Sequence, residues 1–461
     1  MSQAPAVRVE PVYTYHLIIP HSTEPCVLLQ RKHGGWRLPS FEPEVKYTAR
    51  VGQNNSWVRE HLGLEGITLY LAHVDNRRKE AGRLDATYVL QNRQPDWTPS
   101  ADFQWTDRTE LANLDLSVPG QHAVIEAWLD ERDGRSEPRQ RGSWNVPGWY
   151  EKATDWMRSQ LEAQGIQITA PPEQIKHWSI TSALRVPTNQ GDYYFKAVPA
   201  VFAQEPGITA ALAARYPQYV PPPCATRMHP GESWMLMPDF KGVVLEDISV
   251  EQLGEALRIL ARMQIDSVSR VEELRAAGCP DRTLERLAGE IKTLLYDPVV
   301  LEGLLPEEIE RVQRLGSRFE EMCERLASYR VPQTLLHGDF HGGNLLERDG
   351  KILIFDWTDG SIAHPFLDLI TATANRYPAF EEAEKAIVRD AYLSAWTGYE
   401  SPERLLEAAQ LAWPLGGLHQ AVSYRGIMAT PSDETRWEIV GAAGYFLKQA
   451  LNVVEQQGST H

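Results

Sequence analysis

The chain has 461 residues, of which 43% are hydrophobic and 23% are charged, so it has an ordinary globular composition and enough length for more than one domain. Its formal net charge of -16 argues against generic binding to nucleic acid or to an anionic membrane surface, because both need a cationic face. The chain lacks an apolar run of about 20 residues and a secretory signal, and its four cysteines are scattered, so we expect a cytoplasmic protein.

The first part of the chain, residues 1–135, predicts a small α/β domain. Short runs rich in Val, Ile, Tyr and Leu predict strands between residues 13 and 88. The stretches 54–64 and 119–131 predict two helices. The segment that follows, 136–146, is polar and turn-rich, so we interpret it as a linker between domains.

The rest of the chain predicts a β-rich part followed by a helical part. Residues 147–245 begin with an amphipathic helix that ends at Gly165, and they continue with strand patterns on both sides of one further helix. Residues 246–461 are mostly helical in pattern, apart from one β-rich island at 335–357. The predicted fold class is therefore α+β.

The β-rich island carries the polar residues that most resemble a catalytic site. A compact polar loop, 337–344, is followed by an apolar strand that ends at Asp356. A hairpin between them would bring Asp339, Asn344 and Asp356 to one edge. Magnesium prefers hard oxygen ligands, so an amide oxygen and one carboxylate suit it, while a second carboxylate can accept a proton from a substrate hydroxyl.

The pattern H-G-D-x-H-x-x-N, followed by an apolar strand and I-x-D-W, resembles the aminoglycoside phosphotransferase and choline-kinase-like family. The resemblance runs from about residue 146 to the end of the chain. It implies a bilobal protein-kinase-like fold, with a β-rich N-lobe at 147–245 and a helical C-lobe at 246–461. It also implies transfer of phosphate from ATP, with Mg²⁺, to a hydroxyl of a small molecule. On this basis Asp339 is the catalytic residue, and Asn344 and Asp356 bind the metal.

Four further residues in or near the island are given supporting or alternative roles. Asp359 either joins the metal site or faces water, and His341 is either a loop-forming residue or an additional site residue. His337 is expected to hold the loop by hydrogen bonds rather than to act as a base. Asp368 is expected to anchor the catalytic loop.

The upstream half of such a site needs a lysine on a strand and a glutamate on the next helix. Lys196 follows two strand patterns and a tight turn, and Glu205 opens the following helix. The alternative is that both are surface charges. If the resemblance holds, the pair orients the nucleotide phosphates.

The remaining nucleotide contacts are predicted from two segments. The strand that ends near Met237 and Asp239 resembles the segment that binds adenine through backbone groups, although a buried strand has the same pattern. The segment that would cover the phosphates has no glycine. Hydroxyl groups and backbone N–H groups are expected to take over there, on Ser179, Thr181 and Ser182.

The substrate pocket is expected beside the C-terminal helices. Four residues on those helices are tentative substrate contacts, although aromatic residues at helical spacing usually belong to a core: Trp413, His419, Tyr424 and Arg425. The sequence identifies no particular acceptor and no oligomeric state.

The N-terminal domain is similar to a Nudix domain. The resemblance rests on G-G-W-R-L-P at 34–39 and R-E-H-L-G-L at 59–64. Aligned on Gly63, only Glu60 remains of the carboxylates that such a domain uses to bind magnesium. One carboxylate is a poor site for a cation that bridges a diphosphate, so we expect a degenerate Nudix-like domain without hydrolase activity.

Two other functions remain open on the sequence alone. The chain resembles a nucleotide-binding pseudokinase or sensor, because the segment expected to cover the phosphates has no glycine. The Nudix-like part would then recognise a ligand or partner. The presence of Lys196, Asp339, Asn344 and Asp356 argues against this alternative, because a module that only binds needs no base. A Nudix hydrolase with a kinase-like appendage is disfavoured by the loss of carboxylates.

Overall fold

The computed structural model describes residues 12–32, 34–75, 83–139, 141–229, 231–374, 380–429 and 439–458. Among these residues, contacts divide the chain into a first compact unit within 1–196 and a second within 197–458. The division falls inside a strand, after Lys196, and not in the segment 136–146, so the predicted domain bounds stay a prediction. No helix in the described ranges is long and apolar enough to cross a membrane.

The first unit begins with two small sheets. One has the strand order β4-β1-β6-β5, with β1 parallel to β6, and the other has the order β3-β2-β7. The strands are β1 Val12–Ile18, β2 Val27–Lys32, β3 Gly35–Arg37, β4 Ser40–Phe41, β5 Gly66–Asp75, β6 Arg83–Asn92 and β7 Phe103–Thr106. The helices are α1 Gly52–Leu62, α2 Arg108–Leu111, α3 Gln121–Arg132 and α4 Trp149–Glu162.

Alternation of side chains along β1 places helices on both faces of the first sheet. Leu17 packs in the cluster that contains Val58 of α1, whereas the next residue, Ile18, packs in the cluster that contains Ile125 of α3. Helix α1 ends at Gly63, whose φ of 63° is left-handed and favours glycine over other residues. The helix predicted over 54–64 is therefore present, with bounds of Gly52–Leu62.

The first unit continues with β8 Glu173–Trp178 and β9 Thr181–Thr188, which pair antiparallel, and with the part of β10 Gly191–Pro199 up to Lys196. The predicted linker is not fully solvated. Ser143–Asn145 forms a short 3₁₀ helix, and Trp144 is only 2% exposed. The indole Nε1 of Trp144 donates a hydrogen bond to the backbone oxygen of Trp178 at 2.9 Å, so the end of this segment packs against the β8–β9 turn.

The second unit combines short strands with many helices. Its strands are β11 Ala225–Arg227, β12 Glu232–Pro238, β13 Val243–Val244, β14 Thr334–Leu336, β15 Leu345–Arg348, β16 Lys351–Ile354 and β17 Ser361–Ala363. Its helices up to the island are α5 Glu205–Arg215, α6 Val250–Ser267, α7 Val271–Ala276, α8 Leu284–Leu294, α9 Pro298–Leu301, α10 Pro306–Arg314 and α11 Gly316–Ala327. The later helices are α12 Leu369–Thr373, α13 Glu382–Leu393, α14 Pro402–Met428 and α15 Ala442–Gly458.

Helix α14 continues past a residue that usually ends a helix. Pro414 lies in its interior, yet the helix runs from Pro402 to Met428. The two glycines after the proline allow close packing on both sides. A Cβ on Gly416 would lie 2.9 Å from the backbone oxygen of Leu367, and one on Gly417 would lie 2.8 Å from that of Phe446. Tertiary packing therefore outweighs the local cost of the proline.

The β-rich island forms two small sheets inside the helical unit. Strand β14 pairs with β17, and β15 pairs with β16 and β13. The hairpin register joins Leu345 to Ile354, and the turn at Asp349–Gly350 closes it. The polar loop 337–344 therefore lies between two buried strands, β14 and β15, which hold both of its ends.

Candidate active site

The polar loop after β14 turns sharply at Gly338. The φ of this residue is 85°, and a Cβ there would lie 2.5 Å from the backbone oxygen of Asp359. Only glycine fits this combination of left-handed backbone and close approach. Gly342 is equally restricted, since its Cβ would lie 2.1 Å from the backbone oxygen of Leu245. The glycines of the H-G-D-x-H-G pattern thus set the path of the loop.

Asp368 anchors the start of the loop, as the sequence suggested. Its carboxylate accepts hydrogen bonds from the backbone N–H groups of His337 at 3.1 Å and Gly338 at 2.7 Å. Gln264 of α6 donates a third, at 3.0 Å. The side chain is buried, and burial raises the pKa of Asp368 to about 7, against the opposing effect of these three donors.

His337 joins the loop to the end of β16. Its Nε2 lies 3.1 Å from the backbone oxygen of Phe355, which can only accept, so Nε2 carries the proton and Nδ1 accepts from the Asp339 N–H at 3.3 Å. Burial lowers the pKa of His337 to about 4, so the ring is neutral near pH 7. Both ring nitrogens are occupied, which agrees with the expected structural role.

Asp339, His341 and Asn344 lie together in the loop. The Nδ1 of His341 accepts a hydrogen bond from the Gly343 N–H at 3.0 Å, so its Nε2 carries the proton and donates to the Asp339 Oδ2 at 3.2 Å. The Asn344 Nδ2 donates to the Asp339 backbone oxygen at 2.8 Å and reaches Oδ2 at 3.3 Å. The Asp339 carboxylate, 28% exposed, is therefore oriented by two donors and still accessible.

Asp356 follows β16 directly and has an unusual backbone. Its φ is 61°, in the left-handed region that residues with a Cβ rarely adopt. The preceding residue, Phe355, donates its N–H to the Asn344 backbone oxygen at 3.1 Å, so Asp356 begins where the loop ends. Its Oδ1 accepts a hydrogen bond from Thr358 Oγ1 at 2.7 Å. The hairpin therefore brings the three predicted residues to one edge.

These residues fit a divalent cation through oxygen atoms. The Asn344 amide nitrogen is fixed toward a carbonyl that can only accept, and no hydrogen bond from the described residues reaches its Oδ1. That oxygen and the Asp356 carboxylate are the kind of ligands that Mg²⁺ takes, together with water and phosphate. No three His, Cys, Asp or Glu side chains converge as a metal cluster anywhere in the described ranges. A cation here would therefore depend on phosphate or water for its other ligands.

Asp359 lies beside a charged group that the sequence did not single out. Burial and the Asp339 carboxylate raise the pKa of Asp359 to about 6, while Arg282 acts in the opposite direction. The Arg282 Nη1 donates to Ser423 Oγ at 2.5 Å, and Ser423, like Arg282, lowers the pKa of Asp359. Arg282 and Ser423 are far apart in sequence and carry no motif, so only the fold reveals them.

The four candidate substrate residues all lie on α14 and have different surroundings. Trp413 donates to Thr373 Oγ1 at 3.0 Å and lines a cavity of about 560 Å³ among α12 to α15. His419 is 2% exposed, and burial lowers its pKa well below the usual value. Tyr424 stacks on Phe446, with ring centroids 5.8 Å apart, and Arg425 donates to Glu290 at 2.9 Å. Arg282 is close enough to affect the pKa of His419, and Arg425 affects that of Arg282, whereas Tyr424 packs against α15, so all four stay predictions.

The predicted nucleotide-binding residues lie on several elements. Lys196 is on β10, and Glu205, which is 1% exposed, begins α5. Met237 lies next to the end of β12, and the Asp239 Oδ1 accepts the Lys241 N–H at 3.0 Å within a local turn. The Asp239 carboxylate is thus used to shape that turn.

The predicted phosphate-covering segment is a tight β8–β9 hairpin. Trp178 pairs with Thr181, which leaves only Ser179 and Ile180 in the turn. Ser182 is fully buried, and its hydroxyl lies 3.0 Å from His177 Nδ1. The expectation that the Ser182 hydroxyl faces phosphate is therefore wrong, because that hydroxyl is turned into the interior of the first unit.

Comparison with known proteins gives a family for the larger part of this chain. Residues 174–405 match the profile of the phosphotransferase enzyme family, APH. A search of curated proteins finds no match. Solved structures with a similar fold include a type I macrolide 2′-phosphotransferase, with 13% identity over 63% of this chain and 96% of the other, at a TM-score of 0.46.

Two further solved structures match with comparable sequence identities and TM-scores. The macrolide 2′-phosphotransferase MphH of Brachybacterium faecium has 16% identity over 63% of this chain and 98% of its own, at a TM-score of 0.44. A spectinomycin phosphotransferase in complex with ADP and spectinomycin has 12% identity over 65% of this chain and 96% of its own, at a TM-score of 0.45. Nearly the whole length of each of these proteins is thus matched by part of this chain.

Proposed function

We propose a reaction for this chain, which belongs to the phosphotransferase enzyme family and is a small-molecule kinase. In this reaction the chain transfers the γ-phosphoryl group of ATP, with Mg²⁺, to a hydroxyl of its acceptor. One observation carries the proposal. The Asn344 side chain donates a hydrogen bond to the Asp339 backbone oxygen, and the Asn344 backbone oxygen accepts one from Phe355, the residue before Asp356. A base and two oxygen ligands therefore lie at one junction.

Asp339 is the proposed base. Its Oδ2 is held by the Nε2–H of His341 and the Nδ2–H of Asn344, and these two contacts fix the orientation of the carboxylate that would receive the acceptor proton. The acceptor hydroxyl gives its proton to this carboxylate as its oxygen bonds to phosphorus, and the bond from phosphorus to the ADP oxygen breaks. The products are a phosphomonoester and ADP, and the proton then passes to solvent.

Asn344 and Asp356 are the proposed metal ligands. Bound Mg²⁺ supplies charge neutralisation to the phosphoryl group during transfer. The Asn344 Oδ1 and the Asp356 carboxylate would hold it, and Thr358 Oγ1 fixes one Asp356 oxygen. Asp359 lies close enough to the base for the Asp339 carboxylate to raise its pKa, and we propose that it borders the acceptor position. The candidate residues on α14 remain proposed acceptor contacts: Trp413, His419, Tyr424 and Arg425.

The nucleotide contacts are proposed on elements upstream of the island. Lys196 and Glu205 would orient the phosphates, and backbone groups near Met237 and Asp239 would bind adenine. In the hairpin after β8, the hydroxyls of Ser179 and Thr181 would contact phosphate. The buried Ser182 would contribute only through its backbone.

A screen of hydroxylated metabolites with ATP and Mg²⁺ tests this function. We expect ADP to form faster than by ATP hydrolysis alone only when a suitable acceptor is present, since a bound hydroxyl is held in place for proton transfer and water is not. A control without Mg²⁺ should give no product. If ATP stabilises the protein thermally but ADP never appears across a broad acceptor set, the chain is a nucleotide-binding pseudokinase or sensor and the kinase proposal is wrong.

We also propose that residues 1–135 form a degenerate Nudix-like domain without hydrolase activity. The mixed sheet flanked by α1 and α3 supports the fold, and the presence of Glu60 alone on the exposed side of α1 supports the inactivity. Full-length Asp339→Asn protein offered nucleoside diphosphate derivatives and Mg²⁺ should release no phosphate or nucleotide above a protein-free control. Metal-dependent hydrolysis that Glu60→Gln abolishes would contradict this proposal.

A further inference from the structure

Strand β8 is attached to the N-terminal sheet by the side chain of Gln174. Its Oε1 accepts hydrogen bonds from Asn55 Nδ2 at 2.8 Å and from the Thr68 N–H at 3.0 Å, and its Nε2 donates to the Thr68 backbone oxygen at 2.9 Å. Gln174 is 3% exposed. A buried amide with these partners is costly to separate from them, so β8 has a fixed place on α1 and β5.

His177, on the same strand, makes a second set of hydrogen bonds to the N-terminal domain. Its backbone N–H donates to the Ala49 oxygen at 2.8 Å, and its Nε2 lies 2.7 Å from the Leu69 backbone oxygen. A carbonyl can only accept, so Nε2 carries the proton and Nδ1 is an acceptor. Burial lowers the pKa of His177 to about 4, which keeps the ring in this neutral form near pH 7.

The acceptor nitrogen of His177 then holds the hairpin itself. Ser182 is the cross-strand partner of His177, and its hydroxyl donates to Nδ1 at 3.0 Å. The hairpin turn is two residues long, from Trp178 to Thr181, and Trp144 donates to the Trp178 backbone oxygen at 2.9 Å. Both strands of the turn are thus hydrogen-bonded through His177 to Leu69 of the N-terminal sheet.

The turn contains a buried serine hydroxyl, the Ser179 Oγ, that is not hydrogen-bonded within the described residues. An unpaired buried hydroxyl is costly, so it is suited to a ligand that supplies an acceptor. Because the turn has no glycine, we expect the position of the Ser179 hydroxyl to depend on the residues that fix β8 and β9.

We propose that His177 is a positioning residue for nucleotide binding, because it fixes the β8–β9 turn to the N-terminal domain through Leu69 on one side and Ser182 on the other. The inference rests on the proposed function, in which this turn contacts the nucleotide phosphates. It gives the N-terminal domain a role in the kinase reaction that needs no catalysis of its own. Misplacing a phosphate contact by a fraction of an ångström weakens binding of the nucleotide without touching the base.

The test uses full-length protein and compares His177→Ala with His16→Ala. His16 is a matched control, since it is also a buried histidine of the first unit, 4% exposed, and it bonds to Gln121 rather than to the hairpin. We expect His177→Ala to raise the KM for ATP about tenfold, with kcat at saturating ATP changed less than about threefold. Amides 178–182 should exchange hydrogen faster in His177→Ala and not in His16→Ala.

A conservative variant separates positioning from general loss of stability. His177→Gln keeps a side-chain N–H that can donate to Leu69, so it should recover part of the ATP affinity and of the hairpin protection. An unchanged KM for ATP in His177→Ala, or an equal increase in His16→Ala, overturns the inference while wild-type activity stands. If the wild type itself neither binds nor consumes ATP, the proposed function fails and the inference fails with it.

Discussion

Replacing Asp339 by Asn should lower kcat by about 10³-fold while leaving the affinity for ATP–Mg²⁺ within about threefold. The asparagine oxygen can still accept from His341 Nε2–H and Asn344 Nδ2–H, so the loop should keep its geometry. What is lost is the negative oxygen that takes the acceptor proton. Turnover with a confirmed acceptor, and calorimetric titration with a non-hydrolysable ATP analogue, measure the two effects separately.

Asp349→Asn provides the matched control for this prediction. Asp349 lies in the exposed turn of the β15–β16 hairpin with a φ of 51°, which asparagine tolerates as well as aspartate. The same change of charge should therefore leave kcat unaltered. An Asp339→Asn enzyme that keeps more than about one tenth of wild-type turnover would show that the base is elsewhere.

Replacing Asp356 by Asn should have the second-largest effect on activity, and it should raise the Mg²⁺ concentration that the enzyme needs. The backbone of Asp356 is left-handed at a φ of 61°, and asparagine is the substitution that tolerates it while keeping an oxygen for Thr358. Losing the charge of a metal ligand should raise the Mg²⁺ concentration for half-maximal activity at least about tenfold and lower kcat by about 10²-fold.

A titration of activity against Mg²⁺ at fixed ATP measures the change, with Asp349→Asn again as the control. The Asp356→Asn curve should shift to higher Mg²⁺ and reach a lower plateau. If its midpoint coincides with that of the wild type, Asp356 does not bind the metal, whatever happens to kcat. A normal plateau at high Mg²⁺ would show that Asp356 acts on affinity alone.

The central loop could be anticipated from sequence because its residues are close along the chain. A polar loop, a hairpin turn and a strand bring Asp339, Asn344 and Asp356 together with about a dozen residues of connection, so local pattern was enough. The helix over 54–64 was accessible for the same reason. The anchoring of the loop by Asp368 was also expected, from the family resemblance of this part of the chain.

What the sequence could not supply depends on contacts between distant segments. Gln264, Gln420 and Arg282 reach the loop or its neighbours from α6, α14 and the segment before α8, and each is a common residue type without a motif. Gln420 donates to the backbone oxygen of Gly338, a contact that requires α14 to continue past Pro414. Local propensity alone would end that helix near Pro414, because it ignores tertiary packing.

The misassigned hydroxyl of Ser182 has the same origin. A serine in a glycine-free segment was expected to serve phosphate, but strand alternation turns it inward, toward His177. The acceptor for that hydroxyl comes from a ring whose proton is fixed by Leu69, more than a hundred residues away in sequence. Only the fold shows that the N-terminal sheet is part of what holds the hairpin.

The most direct test of the central claim follows the phosphorus atom. Wild-type protein and Asp339→Asn, each with ATP, Mg²⁺ and an acceptor from the screen, are compared by ³¹P NMR. We predict a phosphomonoester resonance that grows in step with ADP for the wild type and is absent for the variant. Equal phosphomonoester formation by both proteins, or release of inorganic phosphate alone by the wild type, would contradict a base at Asp339 that directs phosphate to a hydroxyl.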